Sequence, residues 1–235
     1  MQDILCNRIA IRGSVIQYSF VSKNRRRMKW FQMNGTAIEN GHEQCVVLTF
    51  TDITELKNQE EYLRKRLTLD LATGTMNKYS LMVSMQKMIE PGVTNAEFTV
   101  SMIDFDNFKD INDRFGHLMG DRVLETFAEI ARKHIRKRDI LGRYGGEEFI
   151  FIFPDTSQNQ ALKILKRIHK ELQEYFAEEL KYSVTFSAGL LYVDTLQNDF
   201  MTCPDLIGNL DKMLYRAKKC GKSRAISSIG EIKFN

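Results

Sequence analysis

The chain has 235 residues, 43% of them hydrophobic and 27% charged, with a formal net charge of +4. This length suits one large domain, or one ordinary domain with an attachment, and so mild a positive charge speaks against a nucleic-acid-binding protein while permitting anionic small molecules. Cys6, Cys45, Cys203 and Cys220 show no metal-ligand or redox spacing, no apolar run approaches the ~20 residues that cross a bilayer, and no leader pattern opens the chain; the expectation is a cytoplasmic chain, or the cytoplasmic part of a longer one, with free thiols and no membrane segment.

Residues 1–53 are strand-like. Segments 14–22, 28–34 and 45–51 carry β-branched and aromatic residues, with polar turns at 23–27 and 39–43 between them. The basic cluster Lys23, Arg25, Arg26 and Arg27 suits a phosphate-binding patch, but with no interleaved aromatics it reads as a solvated hairpin turn. Residues 55–69 are charged and helical, with Leu56, Leu63 and Leu67 in a stripe. That stripe suits either a dimerising connector or a linker helix packed on its own domain.

The character changes at Asp70. A T-G loop over 70–78 leads to a helix over 77–90, a strand over 98–105 and a helix over 121–137. A hairpin over 138–153 follows, with Gly145-Gly146 at its tip because glycine accepts the positive φ of tight turns. A helix over 158–178, a strand over 182–193, a proline-opened helix over 204–219 and a strand pair within 224–234 complete the chain. From Phe98 the order is β-α-β-β-α-β, the split ferredoxin-like arrangement. The fold class expected is therefore α+β, with a ferredoxin-like or palm-like core, flanking helices and a small β-rich segment in front.

In that topology the first strand is central and adjoins the second strand of the hairpin. Asp104 and Asp106, two apart at the end of the first strand, then face Glu147 and Glu148 across the sheet. Carboxylates gathered from two strands suit a hard divalent cation that also takes substrate phosphates, as in nucleotidyl transfer. Phe108 and Lys109 fall in an expected tight turn whose N–H groups can cradle phosphate. Asn112 and Asp121 offer an amide and a carboxylate, and a carboxylate accepts from the N1–H and amine of guanine. Other roles stand beside these: Asp121 follows Gly120 as a helix N-cap, Asn112 caps a short helix, and His117 is a turn residue.

Two resemblances follow. The ending V-L-T-F-T-D-I-T-E-L (47–56) is similar to the last strands of a PAS sensor domain, so residues 1–54 resemble the C-terminal part of one, with 55–69 as linker. Residues 69–229 resemble the GGDEF family of diguanylate cyclases, in a G-G-E-E-F variant, which assigns 70–235 to that domain. The motifs are D-L-A-T-G-T-M-N-K (70–78), I-D-F-D-N-F-K-D-I-N-D (103–113), G-H-L-M-G-D (116–121), R-Y-G-G-E-E-F (143–149) and L-Y-R-A-K-K-C-G-K-S (214–223). The resemblance implies condensation of two GTP into cyclic di-GMP by a homodimer, with magnesium, or manganese in its place, as cofactor. It implies Asp104, the Phe105 carbonyl and Glu147 as metal ligands, and Glu147 or Glu148 as proton acceptor. It further implies Lys109 at the transferring phosphate, and Phe108, Asn112, His117, Asp121, Arg143, Lys218 and Lys222 around the substrate. Arg136, Asp139 and Arg167 match an R-x-x-D product-inhibition site. The departures are A-T-G-T at 72–75 in place of L-T-G-L, Lys78 in place of arginine, and Gly221-Lys222-Ser223 in place of G-R-N. The alternative function is a catalytically weak or inactive module that senses cyclic di-GMP or GTP.

Overall fold

The computed structural model describes residues 11–22, 25–40, 43–90, 97–195 and 202–234. It forms two compact units, Met1–Lys65 and Arg66–Asn235. The expected turns at 23–27 and 39–43 centre on residues outside those described, as does Cys6. Among the described residues, Cys45, Cys203 and Cys220 are free thiols, and no helix is long and apolar enough to cross a membrane.

The first unit is an antiparallel meander of β1 (Ile11–Ser22), β2 (Arg25–Asn40) and β3 (Glu43–Asp52), followed by α1 (Thr54–Thr68). The strands run past the apolar segments that announced them, because backbone pairing continues through polar residues once register is set. Asp52 makes the corner from strand to helix. Its carboxylate accepts from the Thr54 N–H (3.0 Å) and from Lys29 Nζ (2.6 Å). Those hydrogen bonds, Lys29 first, hold its pKa down at about 2. Trp30 clamps the same corner: its N–H donates to Thr54 Oγ1 (2.9 Å) and its carbonyl accepts from the Ile53 N–H (2.8 Å). Along α1, Leu56, Leu63 and Leu67 are exposed, at 61%, 57% and 71%.

The second unit starts with α2 (Lys78–Ile89), capped by Asn77, whose side chain accepts from the Ser80 N–H. There follow β4 (Glu97–Phe105), α3 (Phe108–Phe115), α4 (His117–His134), β5 (Ile140–Gly145), β6 (Glu148–Pro154), α5 (Gln158–Leu180), β7 (Phe186–Asp194), α6 (Cys203–Lys219), β8 (Arg224–Ser227) and β9 (Gly230–Lys233). The sheet order is β5-β6-β4-β7-β8-β9, so β4 is central and next to β6, as expected.

Both faces of this sheet are covered, which is why its inner strands read as unbroken apolar runs. Phe149, Phe151 and Phe153 of β6 join Ile103 and Phe105 of β4 in a core beneath α4 and α5. Ile150 and Ile152 join Val100 and Met102 in a second core beneath α2 and α6. The period of two thus assigns every position of β4 and β6 to one helical layer or the other.

Two local expectations are corrected. The expected tight turn at Phe108 and Lys109 is the first turn of α3; only Phe108, Ile111 and Phe115 mark that helix among polar residues, too sparse a stripe to read in advance. α4 begins at His117, with Gly116 in the cap position, so Asp121 lies inside the helix and is not its N-cap.

His169 of α5 is buried between Phe186 (ring centroids 5.1 Å apart) and Phe234 (4.8 Å). Burial pushes its pKa down to about 4. The unfolded chain, titrating near ~6.5, therefore binds a proton that the folded chain refuses until the pH nears 4. Stability is full above ~6.5 and is lost as the pH falls through that window. In urea unfolding, the advantage of wild type over His169→Gln should shrink as the pH drops from about 6.5 to 4, by at most about 1.4 kcal/mol per pH unit.

Candidate active site

The period of two decides which carboxylates meet. Asp104 and Glu148 are register partners on β4 and β6, and both share parity with the residues facing α6. That helix lies unusually close to the sheet: a Cβ at Gly189 of β7 would come within 2.5 Å of the Leu210 carbonyl oxygen and 2.8 Å of the Leu214 nitrogen. The close approach brings Lys218, in the last turn of α6, onto the end of β4. Its Nζ donates to Asp104 Oδ1 and to the Phe105 carbonyl (3.3 Å).

Burial raises the pKa of Asp104, Glu147 and Glu148, and the Asp104 charge raises both glutamates further. Asp211 of α6 adds to the effect at Glu148, and Lys218 opposes all three shifts. Such a group of half-buried, mutually repelling carboxylates gains from a cation. Among the described residues no three acidic, histidine or cysteine side chains form a ready-made metal cage. The donor set nevertheless fits an ion that takes few protein oxygens and completes its shell with phosphate: the Lys218 ammonium already bridges Asp104 and the Phe105 carbonyl, with Glu147 and Glu148 beside them.

Asp106 does not join that group. It lies one residue past β4, where the alternation of faces ends, and is 4% exposed. Its oxygens accept from Thr185 Oγ1 (2.8 Å), Ser187 Oγ (2.7 Å) and the Ser223 N–H (3.0 Å).

The hairpin tip that carries Glu147 is held from behind. Arg143 donates Nε and Nη2 to the Gly146 carbonyl (2.9 and 2.7 Å) and Nη1 to Asp70 (3.2 Å). Arg143, expected at the substrate, is thus a brace for the tip. Burial alone would push the Asp70 carboxyl up, but hydrogen bonds from the Thr73 hydroxyl (2.7 Å) and N–H (2.9 Å), with Arg143, hold it below the usual range. The divergent A-T-G-T loop is itself satisfied: the buried Thr75 hydroxyl meets that of Thr73 at 2.9 Å, and Arg132 donates to the Thr73 carbonyl. Lys78 lies with its ammonium 4.0 Å above the Tyr144 ring.

The corner between α3 and α4 supplies the remaining groups. The Phe108 ring is core, 5.7 Å from that of Phe105, so what this position offers a ligand is the N–H end of α3. Asn107 enters that helix with a left-handed φ of 56°, and its side chain accepts from Lys222 Nζ. Lys109 is exposed in the first turn. Asn112 Oδ1 is buried without a hydrogen-bond partner, and a Cβ at Gly120 would lie 2.0 Å from it. The glycine therefore makes room for the Asn112 side chain. His117 and Asp121 are exposed one helical turn apart on α4.

Elsewhere, Arg136 and Arg167 line one depression of about 520 Å³ with His134, Lys163 and Lys166. Asp139 shapes the turn beside it: one carboxylate oxygen accepts from the Arg136 N–H (2.7 Å), while Oδ1 is buried and unpartnered.

A family model described as diguanylate cyclase, GGDEF domain, matches residues 67–224. The chain is 30% identical over 217 residues to diguanylate cyclase A of Treponema denticola, covering 88% of this chain and 58% of that protein, so it spans less than two thirds of that relative's length. The active GGEEF domain of a diguanylate cyclase from Vibrio cholerae is similar at 28% identity and a TM-score of 0.58, over 64% of this chain and 96% of that one. The coiled coil and GGDEF domain of DgcB from Caulobacter crescentus, in complex with c-di-GMP, shares the fold at a TM-score of 0.65 and 21% identity, over 75% of this chain and 93% of that one.

Two stability changes of opposite sign are expected in thermal and urea melts. Asp70→Ala strands Arg143 and two Thr73 donors and should destabilise by about 2 kcal/mol. Glu147→Gln removes a repelled carboxylate; because the folded pKa is raised, the ionised form costs stability at neutral pH. The variant should melt about 1–2 °C higher at pH 7 without metal, a gain that vanishes at acid pH where the wild-type group is neutral.

Proposed function

As the chain belongs to the GGDEF family of diguanylate cyclases over residues 67–224, we propose that it condenses two GTP into cyclic di-GMP and two pyrophosphates. The observation that carries this reading is the register pair Asp104–Glu148, with the Lys218 ammonium bridging Asp104 and the Phe105 carbonyl. Asp104, the Phe105 carbonyl and Glu147 are the groups that would hold magnesium, or manganese in its place. When bound, such an ion supplies charge neutralisation at the phosphates and acidifies the attacking hydroxyl.

The side chains divide the remaining work. Lys109, Lys218 and Lys222 offset phosphate charge, with the N–H end of α3 at Phe108 as a further donor. Asn112 and Asp121 read the guanine edge, the Asp121 carboxylate accepting from N1–H and the amine, and His117 flanks the base. The 3′-oxygen of one GTP forms a bond to the α-phosphorus of the other as the bond to pyrophosphate breaks. Glu147 or Glu148 takes the hydroxyl proton, and raised carboxyl pKa values suit both to that task. One subunit holds one GTP, so the ring closes between two copies facing each other. The exposed leucine stripe of α1 supports a homodimer joined through residues 55–69, with residues 1–54 as the C-terminal part of a PAS-like domain. A GTP substrate supports a cytoplasmic setting for this work.

The depression lined by Arg136 and Arg167 supports feedback by the product, two guanidinium groups suiting a dinucleotide's two phosphates. Asp139 holds the turn that presents Arg136.

Incubation with GTP and magnesium, followed by chromatography, tests the reading. Wild type should yield cyclic di-GMP, and chelation should stop it. Asp104→Ala and Glu147→Ala should lower turnover at least about 100-fold. Asn112→Ala should raise KM for GTP about tenfold. A wild-type protein that binds cyclic di-GMP in calorimetry but neither binds nor converts GTP is a sensor instead. Arg136→Ala should raise the product's inhibition constant about tenfold.

A further inference from the structure

The loop joining α6 to β8 has a strained backbone. Gly221, Lys222 and Ser223 follow one another at φ of +112°, +63° and +48°. For Lys222 and Ser223, which carry side chains, this left-handed region is sparsely populated and persists only where surroundings enforce it. The surroundings here are specific. The Lys222 N–H donates to the Ala217 carbonyl (3.1 Å), and the Lys222 carbonyl accepts from Arg224 Nε (2.9 Å). The Ser223 carbonyl accepts from the Phe234 N–H (3.1 Å), and the Ser223 N–H donates to Asp106 (3.0 Å). Ser223 Oγ shares a hydrogen bond with His169 Nε2 (3.0 Å).

Asp106 is the fixed end of this arrangement, tied through Thr185 and Ser187 to the segment entering β7. Its carboxylate has both oxygens engaged by three donors inside the protein, which is how an anchor is built. The outcome is felt at Lys222: a backbone turned left-handed at that residue carries its ammonium onto the Asn107 side chain, at the start of α3.

We infer that Asp106, together with Ser223 and His169, is a positioning unit that holds Lys222 over the N-terminal end of α3, and is not part of the metal-binding set. The inference rests on the reading that Lys222 meets the phosphates of GTP. Two residues apart in the chain, Asp104 and Asp106 thereby serve different ends: one faces the cation and the other sets a lysine.

Binding of 3′-deoxy-GTP, which lacks the attacking hydroxyl, reports on this without turnover. In calorimetry with magnesium, Lys222→Ala should weaken binding about tenfold, and Ser223→Ala and Asp106→Asn about fivefold each. In the Lys222→Ala background neither should weaken it further, since a unit that acts through Lys222 has nothing left to position. In turnover, KM should rise more than kcat falls. Manganese affinity should survive Asp106→Asn and be lost in Asp104→Asn. If Asp106→Asn does not fold, Thr185→Val, which removes a donor from Asp106, carries the comparison for that arm, and Ser223→Ala with His169→Gln carries it for the hydroxyl–imidazole arm. Full additivity with Lys222→Ala, unchanged binding in Ser223→Ala and Asp106→Asn, or loss of manganese affinity in Asp106→Asn would overturn the positioning unit. Unchanged binding in Lys222→Ala itself would instead overturn the phosphate reading of that lysine.

Discussion

Negative charge held half-buried at one end of a sheet is the constraint on which the rest of the second unit depends. Asp104 and Glu148 are fixed opposite each other by strand register, so neither can move away without breaking the ladder between β4 and β6. Their repulsion has to be met from outside the sheet. Lys218 meets it, and can do so because α6 lies against Gly189 at a distance no side chain would permit. The apolar layer beneath α2 and α6 therefore has a chemical consequence, in that it sets the height of an ammonium above a carboxylate. A pair that receives its countercharge from a flexible lysine is also one that can exchange that countercharge for another cation at small structural expense.

Around that pair the molecule builds two separate frames. On one side Asp70, Thr73 and Arg143 grip the hairpin tip through the Gly146 carbonyl. On the other, Asp106 and His169 grip the lysine loop through Ser223. Each frame ends in a buried or half-buried carboxylate with several donors. That chemistry is stiff because removing any one donor leaves an acceptor partly desolvated and unpaid. The hydroxyl pair Thr73–Thr75 closes the loop of the first frame by a further hydrogen bond.

Much of this was legible in the sequence, and the limits of legibility are physical. Strand parity and the order β-α-β-β-α-β were enough to place Asp104 beside Glu148, because period-two alternation and a glycine hairpin are local signals. The same alternation failed for Asp106, since it holds only within a strand and β4 ends at Phe105. Helix α3 was hidden because eight residues with three apolar positions make a weak stripe. The bracing bonds of Arg143 were hidden for another reason: its partner Asp70 is 73 residues away, and no local pattern announces such an ion pair. His169 and Ser223, 54 residues apart, escaped in the same way.

The lysine loop shows why that long-range frame matters to this chain in particular. An arginine presents paired donors in a planar fork of fixed geometry. Lys222 offers a point charge on four flexible carbons, and its aim has to come from elsewhere. Restricting the backbone supplies that aim: with φ fixed in the left-handed region at residues 222 and 223, the directions open to the side chain are few. The strain at these two residues and the buried anchor at Asp106 then belong together. On the proposed reading of Lys222, the hydrogen bonds around Ser223 supply the aim that a guanidinium would carry in its own geometry.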